Sequence, residues 1–121
     1  MKYVLAAVLL TIAAIAFPDF RTAMQRSNEK QTMAAMRDIA TVWEARSETS
    51  HRYAVEDLKD MPRLDGWDNP MELTASGNEY RIRSYGSDDR RDVKLIEGSH
   101  TDFARDIVYA NGAFVAYPEG I

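Results

Sequence analysis

The stretch AAIAFPDFRTAMQRSNEKQTMAAMRDIATVWEA, residues 13–45, decides the fold. Met33, Met36, Ala40 and Trp43 recur at steps of three and four, with Ile39 beside them, so they share one stripe of a helix. Arg26, Lys30, Arg37, Asp38 and Glu44 fall largely off that stripe. No Gly or Pro interrupts the run from Arg21 to Arg46, and these are the residues that most readily end a helix. Pro18 stands just upstream and predicts a kink. The stretch therefore reads as one long helix whose later half has a face to bury.

Working towards the N-terminus, residues 1–17 (MKYVLAAVLLTIAAIAF) hold a single charge, Lys2. The run of apolar or neutral residues from Tyr3 to Phe17 would be roughly 22 Å long as a helix, at about 1.5 Å per residue. A hydrocarbon core is about 30 Å thick, so the run is a few residues short of a comfortable span. Two readings fit these residues. One is a cleaved secretory signal, with Ala14-Ile15-Ala16 as its cleavage site. The other is a retained helix that anchors the chain and later packs against copies of itself.

Working towards the C-terminus, the chain turns to short strands. Residues 47–70 are rich in turn-formers, among them Pro62, Asp65-Gly66 and Asp68-Asn69-Pro70. Met71, Leu73 and Ala75 alternate with polar residues, Ser76-Gly77-Asn78 turns, and Tyr80, Ile82 and Ser84 alternate again, predicting a hairpin. Residues 86–103 are polar without clear periodicity. Ile107–Tyr109 and Phe114–Tyr117 predict a second strand pair about Asn111-Gly112. A small antiparallel sheet laid on the amphipathic half of the helix buries both apolar surfaces, which makes the fold α+β. The expected organisation is a helix over 1–50, apolar to residue 17 and amphipathic over 18–50, followed by a small β domain over 51–121.

Composition narrows the chemistry. The chain has 121 residues, 15 basic and 19 acidic, with a net charge of −4. Such a chain is a poor nucleic-acid binder, because phosphate attraction needs surplus Lys and Arg. Without Cys there is no disulfide, thiolate nucleophile or zinc–cysteine site, and two distant His residues exclude a multi-histidine metal centre within one chain. Asp65, Asp68 and Glu72 read as turn and strand residues rather than as an acid–base pair. Ser47, Thr49, Ser50 and His51 lack the setting a nucleophile needs. The sequence thus points away from an enzyme. Trp43, Trp67 and the tyrosines are expected as core and interface anchors, and Met24, Met33 and Met36 as helix packing surface.

Residues 13–45 resemble the N-terminal helix of type IV pilins and type II secretion pseudopilins, most specifically in Ala13, Ala14, Ile15, Ala16, Pro18 and Phe20. The resemblance favours the retained helix. Set on Pro18, Met1 stands where those relatives carry a Glu. A basic leader and about four further mature residues are therefore expected upstream, giving an apolar helix of about 19 residues, close to what spanning needs. The second half is similar to the major pseudopilin of type II secretion. The similarity lies in Asp65, Gly66, Trp67, Asn69 and Pro70, then Tyr80, Ile82, Ser84, Gly86 and Asp88, then Asp106 and Ile107.

The resemblance implies a pilin-like fold and a structural subunit of a pilus-like filament. The implied partners are copies of the chain itself in a helical homopolymer, the inner membrane before assembly, and a secretion or pilus assembly machinery. The soluble part would be periplasmic, and the filament periplasmic or extracellular. Val4, Leu5, Val8, Leu9, Ile12, Ile15, Phe17, Pro18 and Phe20 are the residues expected in the filament core. A type IV pilin-like surface fibre is the near alternative, and a soluble periplasmic binding domain released after Ala16 the distant one. The major pseudopilin family also binds one calcium ion in the loop between its last strands. By motif position Asp88 and Asp106 match its ligands, with Asp102 as a third carboxylate. Arg90, Arg91 and Lys94 replace the family's Gly-rich acidic centre, so a solvated loop with local Asp–Arg pairs is the competing expectation for this segment.

Overall fold

The computed structural model describes the backbone of residues 2–119 and the side chains of residues 20–119. Helix α1 spans Lys2–Ser47. The expectations placed on residues 1–18, namely the membrane segment, the filament core and the kink at Pro18, lie outside the residues whose side chains are described. Among those described, no helix is long and apolar enough to cross a membrane.

Five strands follow: β1 (Glu72–Ser76), β2 (Glu79–Ser84), β3 (Gly98–His100), β4 (Ile107–Ala110) and β5 (Ala113–Pro118). They form one sheet in the order β1-β2-β4-β5-β3. Both predicted hairpins are present. β1 pairs antiparallel with β2, Leu73 opposite Ile82, and β4 pairs antiparallel with β5 across a two-residue turn. Asn111 and Gly112 both take positive φ, 52° and 93°, as a type I′ turn requires.

The sheet is mixed, not purely antiparallel. β3 lies parallel to β5, with Gly98 opposite Ala116 and His100 opposite Pro118. Three residues from a polar loop carry no periodicity that could announce a strand. Backbone pairing alone makes this one.

The stripe read from the sequence is the helix side of the core. Met33, Met36, Ile39, Ala40 and Trp43 are buried against Leu58, Met71, Tyr80, Ile82 and Ile107. Trp43 is fully buried; its ring meets Tyr53 edge-on at 5.8 Å, and its Nε1–H donates to the Ala54 carbonyl at 3.1 Å. Tyr80 lies 5.2 Å from Trp43, and its hydroxyl donates to Glu44 at 2.5 Å. Met24 differs from expectation. It lies nine residues before Met33, on about the opposite side of the helix from the buried stripe, and is 49% exposed.

Candidate functional site

The D-G-W-x-N-P turn fastens the body to the helix. The Gly66 N–H donates to Thr32 Oγ1 at 2.8 Å, and the Thr32 hydroxyl donates in turn to the Asn28 carbonyl at 2.7 Å. A Cβ on Gly66 would fall 2.0 Å from the Asn28 carbonyl oxygen, so only glycine lets the chain cross the helix this closely. The buried Asp65 closes the turn. One of its oxygens accepts from the N–H groups of Trp67 (2.9 Å) and Asn69 (3.0 Å), and the other accepts from the Ser84 hydroxyl at 2.7 Å. Trp67 Nε1–H donates to Gln25 at 2.6 Å.

Ser84 carries the linkage into the 86–106 loop. Its Oγ accepts from the Gly86 N–H at 3.3 Å. Gly86 has φ +76°, and a Cβ there would lie 2.6 Å from the Arg105 carbonyl oxygen. Ser87 N–H donates to the Phe103 carbonyl at 2.9 Å. The loop is thus drawn to the end of the body nearest the apolar segment. There Ser87, Asp102, Phe103 and Ala104 line a cavity of about 270 Å³ together with Arg21 and Gln25 of α1.

The three carboxylates expected as calcium ligands do different work. Asp106 is fully buried and accepts from Arg83 Nε at 2.5 Å, with Arg83 Nη2 also 2.5 Å away. Asp106 and Asp92 exchange bonds reciprocally. Asp92 N–H donates to the Asp106 carboxylate at 3.1 Å, and Asp106 N–H donates to that of Asp92 at 2.9 Å. Burial pushes the Asp106 carboxyl above the ordinary range, opposed by the Asp92 N–H and by Arg83. Asp88 is exposed and accepts from the Arg90 N–H at 3.0 Å. Asp102 is exposed, accepts from the Ala104 N–H at 2.9 Å and lies 3.8 Å from Arg105. Among the described residues no group of three His, Cys, Asp or Glu side chains is placed to hold a metal ion. Calcium needs six to eight converging oxygens, and the deepest of these carboxylates already faces a guanidinium, so the donor set as arranged does not fit the ion.

Arg83 was not legible as a site residue. It follows Ile82 on the opposite face of β2, where alternation predicts solvent, yet it is 5% exposed because the loop folds over it. Glu29 was missed as well. It lies on the buried face of α1 at 3% exposure, and burial raises its carboxyl to about 7 despite the charge of Arg26. With Arg26, His100, Phe103 and Glu119 it lines a cavity of about 50 Å³. The one described member of the expected filament core, Phe20, is 60% exposed. No family model, curated protein or solved structure matches the chain.

Proposed function

We propose that this chain is a structural subunit of a pilus-like filament, most similar to the major pseudopilin of type II secretion. One observation carries the reading. Phe20 and Met24, one turn apart on the side of α1 away from the buried stripe, are 60% and 49% exposed, and the body covers neither of them. An apolar face that its own domain leaves bare needs lipid or another copy to cover it. Residues 3–17 extend the same helix with apolar or uncharged residues.

The mechanism is assembly rather than turnover. The apolar half of α1 holds the monomer in the inner membrane. Transfer into a bundle of identical helices hides the same surface again, at about 25 cal/mol per Å² of apolar area. The body rides outside, fixed to α1 through Gly66 and Thr32, so that movement of the helix moves the sheet with it. The assembly machinery and a periplasmic or extracellular location follow from the pilin resemblance.

Alkaline extraction of membranes, followed by electron microscopy of sheared cells overproducing the full chain, tests this. Filaments built of chains that keep residues 3–17 by intact mass are the expected result. A monodisperse product cut after Ala16 would show a periplasmic domain instead.

A further inference from the structure

The cavity of about 270 Å³ beside Arg21 collects polar groups that the fold leaves unused. Gln25 gives its side-chain oxygen to Trp67 Nε1–H, and its amide N–H groups have no partner among the described residues. Ser87 is tied to Phe103 through its backbone N–H, while its hydroxyl is bonded to no described residue. Arg21 is exposed, and no described carboxylate pairs with it; the side chain of nearby Asp19 is not among those described. The remaining charge at the cavity is an acid. One oxygen of Asp102 accepts from the Ala104 N–H, and the other stands 3.8 Å from Arg105 Nε, too far for a hydrogen bond. Asp88, next to Ser87, is turned to the Arg90 N–H. The cavity thus offers a guanidinium, an amide and a hydroxyl as donors, with one carboxylate oxygen facing them as acceptor. Its volume falls just below the roughly 300–1,000 Å³ of sites that take drug-sized molecules, so it suits a smaller group.

Its depth is equally specific. Arg21 stands four residues beyond Phe17, where the apolar run ends, which is about 6 Å along α1 at about 1.5 Å per residue. A bilayer of about 40–45 Å encloses a hydrocarbon core of about 30 Å, so each headgroup layer is about 5–8 Å deep. With residues 3–17 in the hydrocarbon, the cavity lies among the headgroups.

We propose that this cavity binds the headgroup of an inner-membrane phospholipid, with Arg21, Gln25 and Ser87 holding the phosphate and Asp102 a primary ammonium, which makes the ligand phosphatidylethanolamine. Arginine matches phosphate oxygens with two parallel N–H donors, and the amide and hydroxyl complete the shell. The ammonium of ethanolamine donates to Asp102. The trimethylated nitrogen of choline has no N–H to donate, and a glycerol headgroup brings no cation to the carboxylate. The bound lipid fixes the height and rotation of the body on the membrane, and transfer into a filament must empty the cavity. The site rests on the membrane-anchored filament reading above and names the lipid that the anchored chain holds.

Native mass spectrometry of the full-length chain, released from neutral detergent with equal amounts of phosphatidylethanolamine, phosphatidylcholine and phosphatidylglycerol of identical acyl chains, tests it. Phosphatidylethanolamine should be retained about tenfold over either competitor, and excess inorganic phosphate should leave it in place. D102N keeps the oxygen that accepts from Ala104, so it should fold, and it should lower phosphatidylethanolamine to the level of phosphatidylcholine. R21Q should lower phosphatidylethanolamine retention by about tenfold, whereas K30Q, which removes an exposed cation elsewhere on α1, should change nothing. Equal retention of the three lipids by the unaltered chain, an undiminished ethanolamine preference in D102N, or displacement of the lipid by inorganic phosphate overturns the headgroup site and leaves the filament reading standing. A native chain cut after Ala16 overturns both.

Discussion

Arg83 Nε and Nη2 both lie 2.5 Å from the same carboxylate oxygen of Asp106, while the other oxygen of that carboxylate is buried without a partner. The pair spans the floor of the sheet. Arg83 belongs to β2, and Asp106 stands immediately before β4. Asp92 closes the third side through its backbone N–H. A cation is thus supplied to the loop from within the chain.

Removing that cation should cost far more than the pair itself contributes. Arg83→Met leaves the Asp106 carboxylate buried and uncompensated, and breaking such a pair destabilises by about 3–5 kcal/mol. Arg83→Met with Asp106→Asn should recover a large part of the loss. Urea midpoints of the three proteins provide the check, and equal midpoints for the single and double variants would show that the charge is not the cause.

The same geometry bears on calcium. An ion that binds the folded state must raise apparent stability. With Asp106 held by Arg83, and Asp88 and Asp102 bound to their own turns, millimolar calcium or a chelator should move the melting midpoint by less than about 1 °C. A shift of several degrees corresponds to about 1 kcal/mol or more and would reveal a site assembled on binding.

Gly66 offers a test of how the body is fastened to the helix. Gly66→Ala puts a methyl group 2.0 Å from the Asn28 carbonyl oxygen, where neither backbone can yield cheaply. The loop must lift off, which breaks the Gly66–Thr32 bond, so a loss of about 2–4 kcal/mol is expected, in the range of other strained or overpacked substitutions. Thr32→Val keeps the shape and removes the hydroxyl that accepts from Gly66 and donates to Asn28, so it should cost about 1–3 kcal/mol. If the alanine variant melts with the unaltered chain, the close approach is not needed.

Glu29 should make stability fall as pH rises through neutrality. Its folded carboxyl titrates near 7, against an ordinary 4.5. Below 4.5 both folded and unfolded chains hold the proton and the full contribution is present. Between 4.5 and 7 only the folded chain keeps it, so the contribution shrinks, and by about 7 it is gone. The change amounts to at most about 3 kcal/mol. Glu29→Gln removes the titration, so the gap between variant and unaltered chain in urea midpoint should widen from pH 5 to pH 8. A constant gap would place the titration elsewhere.

Much of this molecule could be read from residue order. The stripe from Met33 to Trp43, both hairpins and the Asn111-Gly112 turn follow from periodicity and turn chemistry, which act over a few neighbouring residues. Asp65-Gly66 and Asp68-Asn69-Pro70 were legible as turns and Ser84 as a strand residue, but their joint role was not. Asp65 and Ser84 meet only because the sheet brings residues 19 positions apart within 2.7 Å. Strand β3 was invisible because three loop residues have no alternation to show.

Periodicity along the chain determined the long helix, the four strands of the two hairpins and the α+β class, because hydrophobic spacing reports which face of an element avoids water. Tertiary structure alone decided the fate of the charges. Whether Arg83, Asp106 and Glu29 lie in water or in the interior depends on what folds over them, and that cover comes from segments distant in sequence. Burial changes the energy of a charge far more than any neighbour along the chain does, so these residues acquire their chemistry only once the fold is complete.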